Sequence, residues 1–311
     1  MVKLTALYPG QGSQYPKMAL DLHAASAKVR ELFSLASDIT HQNLFKLLDE
    51  GSEEDLKQTE TTQLVVTLAN RASLVRLKEL GFTFSSHSGF SLGELSAYAG
   101  GGILDDVNLF SIVQKRGLLM ALAGKTAEAT YGKLGMAAVI GMDFDTIETV
   151  LKENDIKSLY PANDNGPSQV VLSGLQQSID EAKSILLGNG AKRVISLKVS
   201  GPFHTPFMED AKQEFAQFLA QCTFSDSKER VLSSVTGNDV CSAEEARLLL
   251  SDQLACPVRW TKVMKNLKTT ENIVEVGAGT VLTGLWKNSG LEGVCTPLGT
   301  EDAIQAMKKE N

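Results

Sequence analysis

A serine between two glycines, Gly89-Phe90-Ser91-Leu92-Gly93, has the spacing of a nucleophile elbow, a tight strand-to-helix turn. Such a turn asks for glycine two residues either side, because the serine backbone is strained and side chains there would crowd it. In a chain with 26 glycines the same pentapeptide also reads as an ordinary Gly-Ser turn. His204 lies between Pro202 and Pro206, just past a strand read over Arg193 to Val199. Held rigidly at a strand's carboxyl end, a histidine suits a general base. Arg116 shares a helical face with Leu109, Ile112, Val113, Leu119 and Met120, whereas Lys115 is turned away. An inward guanidinium is expensive without a carboxylate. Arg116 therefore reads either as a structural salt bridge with a snorkelling stem, or as a clamp for a substrate carboxylate.

The elements that would position these groups alternate in α/β order. Val2 to Tyr8 predicts a strand, followed by the glycine loop Pro9-Gly10-Gln11-Gly12-Ser13-Gln14, which brings backbone N–H groups close to a ligand. The loop lacks the third glycine of a dinucleotide fingerprint. Helices are predicted over Lys17 to Thr40, Asn43 to Asp49 and Thr61 to Gly81. A strand over Phe82 to Gly89 follows, polar for a central position because it holds Ser85, Ser86, His87 and Ser88. Leu92 to Ala99 forms a helix that Gly100-Gly101-Gly102 stops, which puts a helix N-terminus under Ser91. Asp105 or Asp106 caps a helix running to about Ala123. From Gly135 to Val199 the order βαββαβ describes a ferredoxin-like unit, with Asn163-Asp164-Asn165-Gly166-Pro167 as a turn between its middle strands. Later segments include an amphipathic helix over Met208 to Cys222 and a strand entering Gly277-Ala278-Gly279, read as a packing turn. His23 and His41 look like solvated helix residues.

With 311 residues and 43% hydrophobic composition, the chain can bury a large core. Its net charge of −7 argues against a general nucleic-acid binder. Cys222, Cys241, Cys256 and Cys295 are far apart and form no metal-binding pair, so free thiols in a reducing compartment are expected, with no metal. No signal peptide and no apolar run of membrane-spanning length is evident, which predicts a cytoplasmic protein.

Five motifs occur in order: Pro9 to Gln14, Gly89-Phe90-Ser91-Leu92-Gly93-Glu94, Gln114-Lys115-Arg116-Gly117, Gly201-Pro202-Phe203-His204 and Glu275-Val276-Gly277-Ala278-Gly279. In these the chain resembles, over essentially its full length, the malonyl-CoA:acyl carrier protein transacylases of type II fatty acid synthesis and the acyltransferase domains of polyketide synthases. The resemblance implies an α/β-hydrolase-like catalytic domain over 1–130 and 198–311, with a ferredoxin-like subdomain inserted at 131–197. It implies Ser91 as nucleophile, His204 as base, and Arg116 as the malonyl carboxylate ligand. Backbone N–H groups of Gln11 and Leu92 would form the oxyanion hole, and the Gln253 backbone carbonyl would orient His204. Malonyl-CoA and acyl carrier protein are the implied partners, to a monomer without cofactor. The chain departs from the family at Phe90, where histidine is common, and at Ala278 and Thr280, where proline and lysine are common. A free-standing polyketide acyltransferase, a malonate decarboxylase subunit and a serine esterase or lipase are the neighbouring readings. The esterase would need an Asp or Glu to orient its histidine. A non-catalytic docking module would not need Ser91, His204 and Arg116 together.

Overall fold

The computed structural model describes residues 3–197, 201–267 and 272–310. Val2, Lys198 and Val199, which the sequence reading places in strands or a basic patch, lie outside the described residues. In chain order the elements are β1 (Lys3–Tyr8), α1 (Leu20–Ala25), α2 (Ala27–Thr40), α3 (Leu44–Glu50), α4 (Glu53–Lys57), α5 (Thr59–Glu79), β2 (Thr83–Gly89), α6 (Gly93–Gly100) and α7 (Asp106–Tyr131). Then come β3 (Leu134–Ile140), α8 (Phe144–Glu153), β4 (Leu159–Gly166), β5 (Gln169–Leu175), α9 (Gln176–Gly188) and β6 (Arg193–Leu197). After a 3-10 turn at Pro206–Met208 follow α10 (Glu209–Leu219), β7 (Arg230–Leu232), α11 (Ala243–Asp252), α12 (Trp260–Leu267), β8 (Ile273–Glu275), α13 (Val281–Lys287), β9 (Cys295–Pro297) and α14 (Glu301–Glu310).

Five strands form a wholly parallel sheet in the order β7-β2-β1-β8-β9. Their carboxyl ends therefore share one edge, which collects the loops after β1, β2, β7 and β8. The polar character of β2 is resolved strand by strand. Ser86 hydrogen-bonds Thr5 at 2.9 Å, Ser88 donates to the Leu232 carbonyl at 3.1 Å, and Ser85 donates to that of Leu4 at 3.3 Å. Buried His87 lies between Tyr8 and Glu229, at 2.9 and 2.6 Å. Each buried polar group in this strand meets a partner on a neighbour, so the polarity costs little.

The second sheet is antiparallel, in the order β4-β5-β3-β6, with α8 and α9 packed on it around a core of its own. Numbered within the unit that order is 2-3-1-4, the arrangement of a ferredoxin-like fold.

Three sequence readings need correction. The single helix expected over Lys17 to Thr40 is two, α1 and α2, because Ser26 adopts an extended backbone and caps α2 by accepting from the Val29 N–H. The helix expected to end near Ala123 runs on to Tyr131, where Gly132, with φ of 97°, ends it. Asn163, Asp164 and Asn165 form no turn. They continue β4 with buried side chains, because the Asp164 N–H donates to the Val258 carbonyl and Thr261 donates to the Asp164 carboxylate. A segment nearly a hundred residues away thus supplies the partners that turn chemistry would otherwise supply.

Candidate active site

Ser91 has φ of 50°, in the left-handed region that strains a residue with a side chain. What holds it there is close packing of backbone against backbone. A Cβ on Gly89 would come 1.9 Å from the Gly93 carbonyl carbon, and one on Gly93 would come 2.0 Å from the Tyr8 carbonyl oxygen. The flanking glycines are therefore steric requirements. The loop after β1 lies against the same turn: a Cβ on Gly10 would sit 2.4 Å from the Phe90 oxygen and 3.6 Å from the Leu92 nitrogen. This brings the Gln11 segment beside the Leu92 N–H at the start of α6.

His204 also has a left-handed backbone, with φ of 62°, and its loop is tied down by bonds from its N–H to the Leu254 carbonyl and from Thr205 to the Pro202 carbonyl. Its Nε2 lies 2.8 Å from Ser91 Oγ, and its Nδ1 lies 2.7 Å from the backbone oxygen of Gln253. Burial first, and the Arg116 charge second, push the imidazole pKa down to about 4 against opposing backbone hydrogen bonds. At neutral pH the ring is uncharged, as a base must be.

Arg116 is fully buried. Its Nη1 donates to Gln63 Oε1 at 2.6 Å, and its Nη2 to Gln253 Oε1 at 2.8 Å, with Ser91 Oγ 3.4 Å from Nη2. Among the described residues no carboxylate pairs with it, and its Nε has no hydrogen-bond partner. Of the two sequence readings, the structural salt bridge is thus excluded for the described residues. Burial lowers the guanidinium pKa to about 10, so it remains charged at neutral pH.

A cleft of about 470 Å³ opens onto this cluster, lined by Gln11, Gln63, Phe90, Ser91, Asn163 and His204 among others. A larger hollow, about 640 Å³, runs between α7 and Phe207 but reaches neither Ser91 nor His204. The structure therefore brings together Ser91, His204, Arg116 and Gln253, with Gln11 and Leu92 alongside. Sequence reasoning missed Gln63 and the buried Glu94, which receives the Gln253 side-chain amide. The signal for Gln63 is a polar residue opening the mostly apolar run Leu64 to Leu68 of α5. Phe90, the departure from the family pattern, packs edge-on against Trp260 with ring centres 5.5 Å apart.

The chain belongs to the family of acyl transferase domains, which it matches over residues 5–295. It is 34% identical, over 321 aligned residues, to the malonyl CoA-acyl carrier protein transacylase of Bacillus subtilis (strain 168), covering 100% of this chain and 99% of that one. Among solved structures it is similar to a malonyl-transacylase in complex with its type II PKS acyl-carrier protein, with a TM-score of 0.92 at 32% identity, covering 99% and 100% of the two chains. The malonyl CoA-acyl carrier protein transacylase of Coxiella burnetii superposes equally well, with a TM-score of 0.92 at 32% identity over 99% and 98%.

Proposed function

We propose that this protein transfers the malonyl group of malonyl-CoA to the phosphopantetheine thiol of acyl carrier protein, in fatty acid biosynthesis, through a malonyl ester of Ser91. The observation that carries this reading is Arg116: a charged guanidinium, buried without a carboxylate partner among the described residues, with Nη2 3.4 Å from the nucleophile. A malonyl group attached to Ser91 carries its free carboxylate two carbons from the ester, within reach of that cation.

His204 Nε2 takes the Ser91 proton as Oγ attacks the thioester carbonyl. The oxyanion is received by the N–H groups of Gln11 and Leu92, each worth about 3 kcal/mol in such a role. Coenzyme A leaves as the thiol with the proton from His204. The carrier thiol then gives its proton to His204 and attacks the ester, and collapse of the second tetrahedral intermediate returns Ser91. The Gln253 carbonyl orients His204, a role that a carboxylate fills in an esterase.

The catalytic domain comprises 1–130 and 198–311 and the inserted subdomain 131–197, a division supported by the separate cores of the two sheets. Every functional group comes from one chain, which supports action as a monomer. No helix among the described residues is long and apolar enough to cross a membrane, which is compatible with a cytoplasmic location.

Intact-mass measurement after mixing with malonyl-CoA, then with carrier protein, tests the reading. One malonyl group should appear on Ser91, vanish when carrier protein is added, and never appear on Ser91→Ala. Label on another residue, or none in a single turnover, would sink the mechanism.

A further inference from the structure

Glu94 occupies the first turn of α6, fully buried, yet takes no part in the chemistry described above. Burying a carboxylate is costly unless its oxygens are satisfied. Here Oε2 accepts from Ser234 Oγ at 2.5 Å and from Gln253 Nε2 at 2.6 Å, and Oε1 accepts from the Tyr98 hydroxyl at 3.2 Å. Among the described residues no cation lies within ion-pair distance of it. The nearest functional charge is Arg116, and between the two stands a single amide, the Gln253 side chain.

That amide is held at both ends. Nε2 donates to Glu94 and to the Ser91 carbonyl, the latter at 3.0 Å, while Oε1 accepts from Arg116. A carboxylate can only accept and a guanidinium can only donate, so only one of the two amide orientations satisfies both. Turned over, the amide would set donors against donors at Arg116 and acceptors against acceptors at Glu94. Direct contact between Glu94 and Arg116 would occupy the guanidinium with a permanent partner. The intervening amide gives the guanidinium an acceptor without a counter-charge at contact distance, and Nε stays without a partner.

We propose that Glu94 is a positioning residue for acyl-group selection: its carboxylate locks the Gln253 amide so that Oε1 faces Arg116, which keeps the guanidinium aimed at the acyl carboxylate without occupying it. The inference rests on the reading of Arg116 as the malonyl ligand. Burial raises the Glu94 carboxyl pKa, and the hydrogen bonds from Ser234, Ser233 and Gln253, which favour the anion, oppose that rise.

The test is the ratio of specificity constants for malonyl-CoA and acetyl-CoA in wild type, Glu94→Leu, Glu94→Gln, Gln253→Ala and the double variant Glu94→Leu with Gln253→Ala. Glu94→Leu should lower the ratio about tenfold or more, the scale of a lost hydrogen bond to a charged group. Glu94→Gln should recover most of that loss, because its oxygen can face Gln253 Nε2 while its NH2 turns to the Tyr98 oxygen. If Glu94 acts through the amide, the double variant loses no more than the worse single variant. An unchanged ratio in Glu94→Leu, or losses that multiply, would overturn the proposal. Should Glu94→Leu not fold, exchanging the two residues (Glu94→Gln with Gln253→Glu) keeps the volume and sets a carboxylate directly on Arg116. The malonyl preference should then fall about tenfold, and its retention would count against the proposal. Wild type that fails to acylate Ser91 from malonyl-CoA would instead refute the parent reading. Wild type with a malonyl preference that the variants share would refute this inference alone.

Discussion

His204 donates its Nδ1–H to the main-chain carbonyl of Gln253 across 2.7 Å. A carbonyl oxygen has no proton to give, so in the neutral ring Nδ1 carries the hydrogen and Nε2, facing Ser91, carries the lone pair. The base is thereby set in one tautomer without a charged partner.

That arrangement fixes the expected pH dependence. The imidazole titrates near 4, below its ordinary 6.5, mainly through burial and then through the Arg116 charge. The rate of Ser91 acylation should therefore stay level from neutral pH down to about 5, with its acid limb near 4. Arg116→Ala should move the limb upward by the Arg116 contribution only. Stability follows the same shift. Between about 6.5 and 4 the unfolded chain binds the proton and the folded protein does not, so stability falls as pH drops through that window. A rate limb at 6.5 or above would show that His204 is not the base in this form.

On the proposed function, Arg116 selects the acyl group by charge. Leaving one member of a buried pair alone costs about 3–5 kcal/mol, or roughly two to four powers of ten in rate. Arg116→Ala should depress malonyl transfer by about that factor and spare, or even raise, transfer of acetyl. Arg116→Lys should recover only part, since an ammonium cannot satisfy both glutamine oxygens and a carboxylate with the same planar fork. Equal losses for malonyl-CoA and acetyl-CoA would mean that Arg116 holds up the fold instead.

Carrier-protein docking should depend on basic residues near the junction of the two sheets. Arg259 stacks on the Phe144 ring at 3.8 Å, and Lys192 packs over Gly141 at the start of the same loop. Lys262 and Lys265 follow on α12, and Arg193 opens β6; Lys198, in the same sequence set, lies outside the described residues. Reversing the charge of Lys262 and Lys265 should raise the KM for carrier protein and flatten its dependence on salt, while malonyl exchange between coenzyme A molecules stays constant. A carrier KM that ignores these reversals would place docking elsewhere.

The elbow makes a stability prediction of its own. A methyl group on Gly93 would lie 2.0 Å from the Tyr8 oxygen and 2.9 Å from that of Pro9, both rigid backbone atoms. Gly93→Ala should cost about 3 kcal/mol, at the upper end for overpacking, read from the urea midpoint. Gly12→Ala, with nothing within 4 Å, should cost less despite its φ of 104°. Equal midpoints for the two variants would show that the turn can relax.

Ser91, His204 and Arg116 were legible because each breaks a local rule. Glycines flank a serine, prolines bracket a histidine, and an arginine sits where leucine belongs. The ferredoxin-like unit was legible from periodicity alone. Asn163 to Asn165 were misread because their partners, Val258 and Thr261, lie far along the chain, and local propensity knows nothing of them. Glu94 and Gln63 were passed over for a related reason. A buried carboxylate or amide looks like surface polarity until the groups that satisfy it are seen in space.

The carbonyl behind His204 also bears on what the acyl-serine can react with. Buried, close to the Arg116 charge and without a carboxylate partner, the imidazole is a weak base. A pantetheine thiol, of a kind that ionises near pH 8.5, asks little of such a base, whereas water, at about 15.7, asks for far more help. On the proposed mechanism the Ser91 ester should therefore resist solvent and be released by sulfur. On the proposed reading, a histidine left without a negative partner favours transfer to sulfur over transfer to water at this elbow.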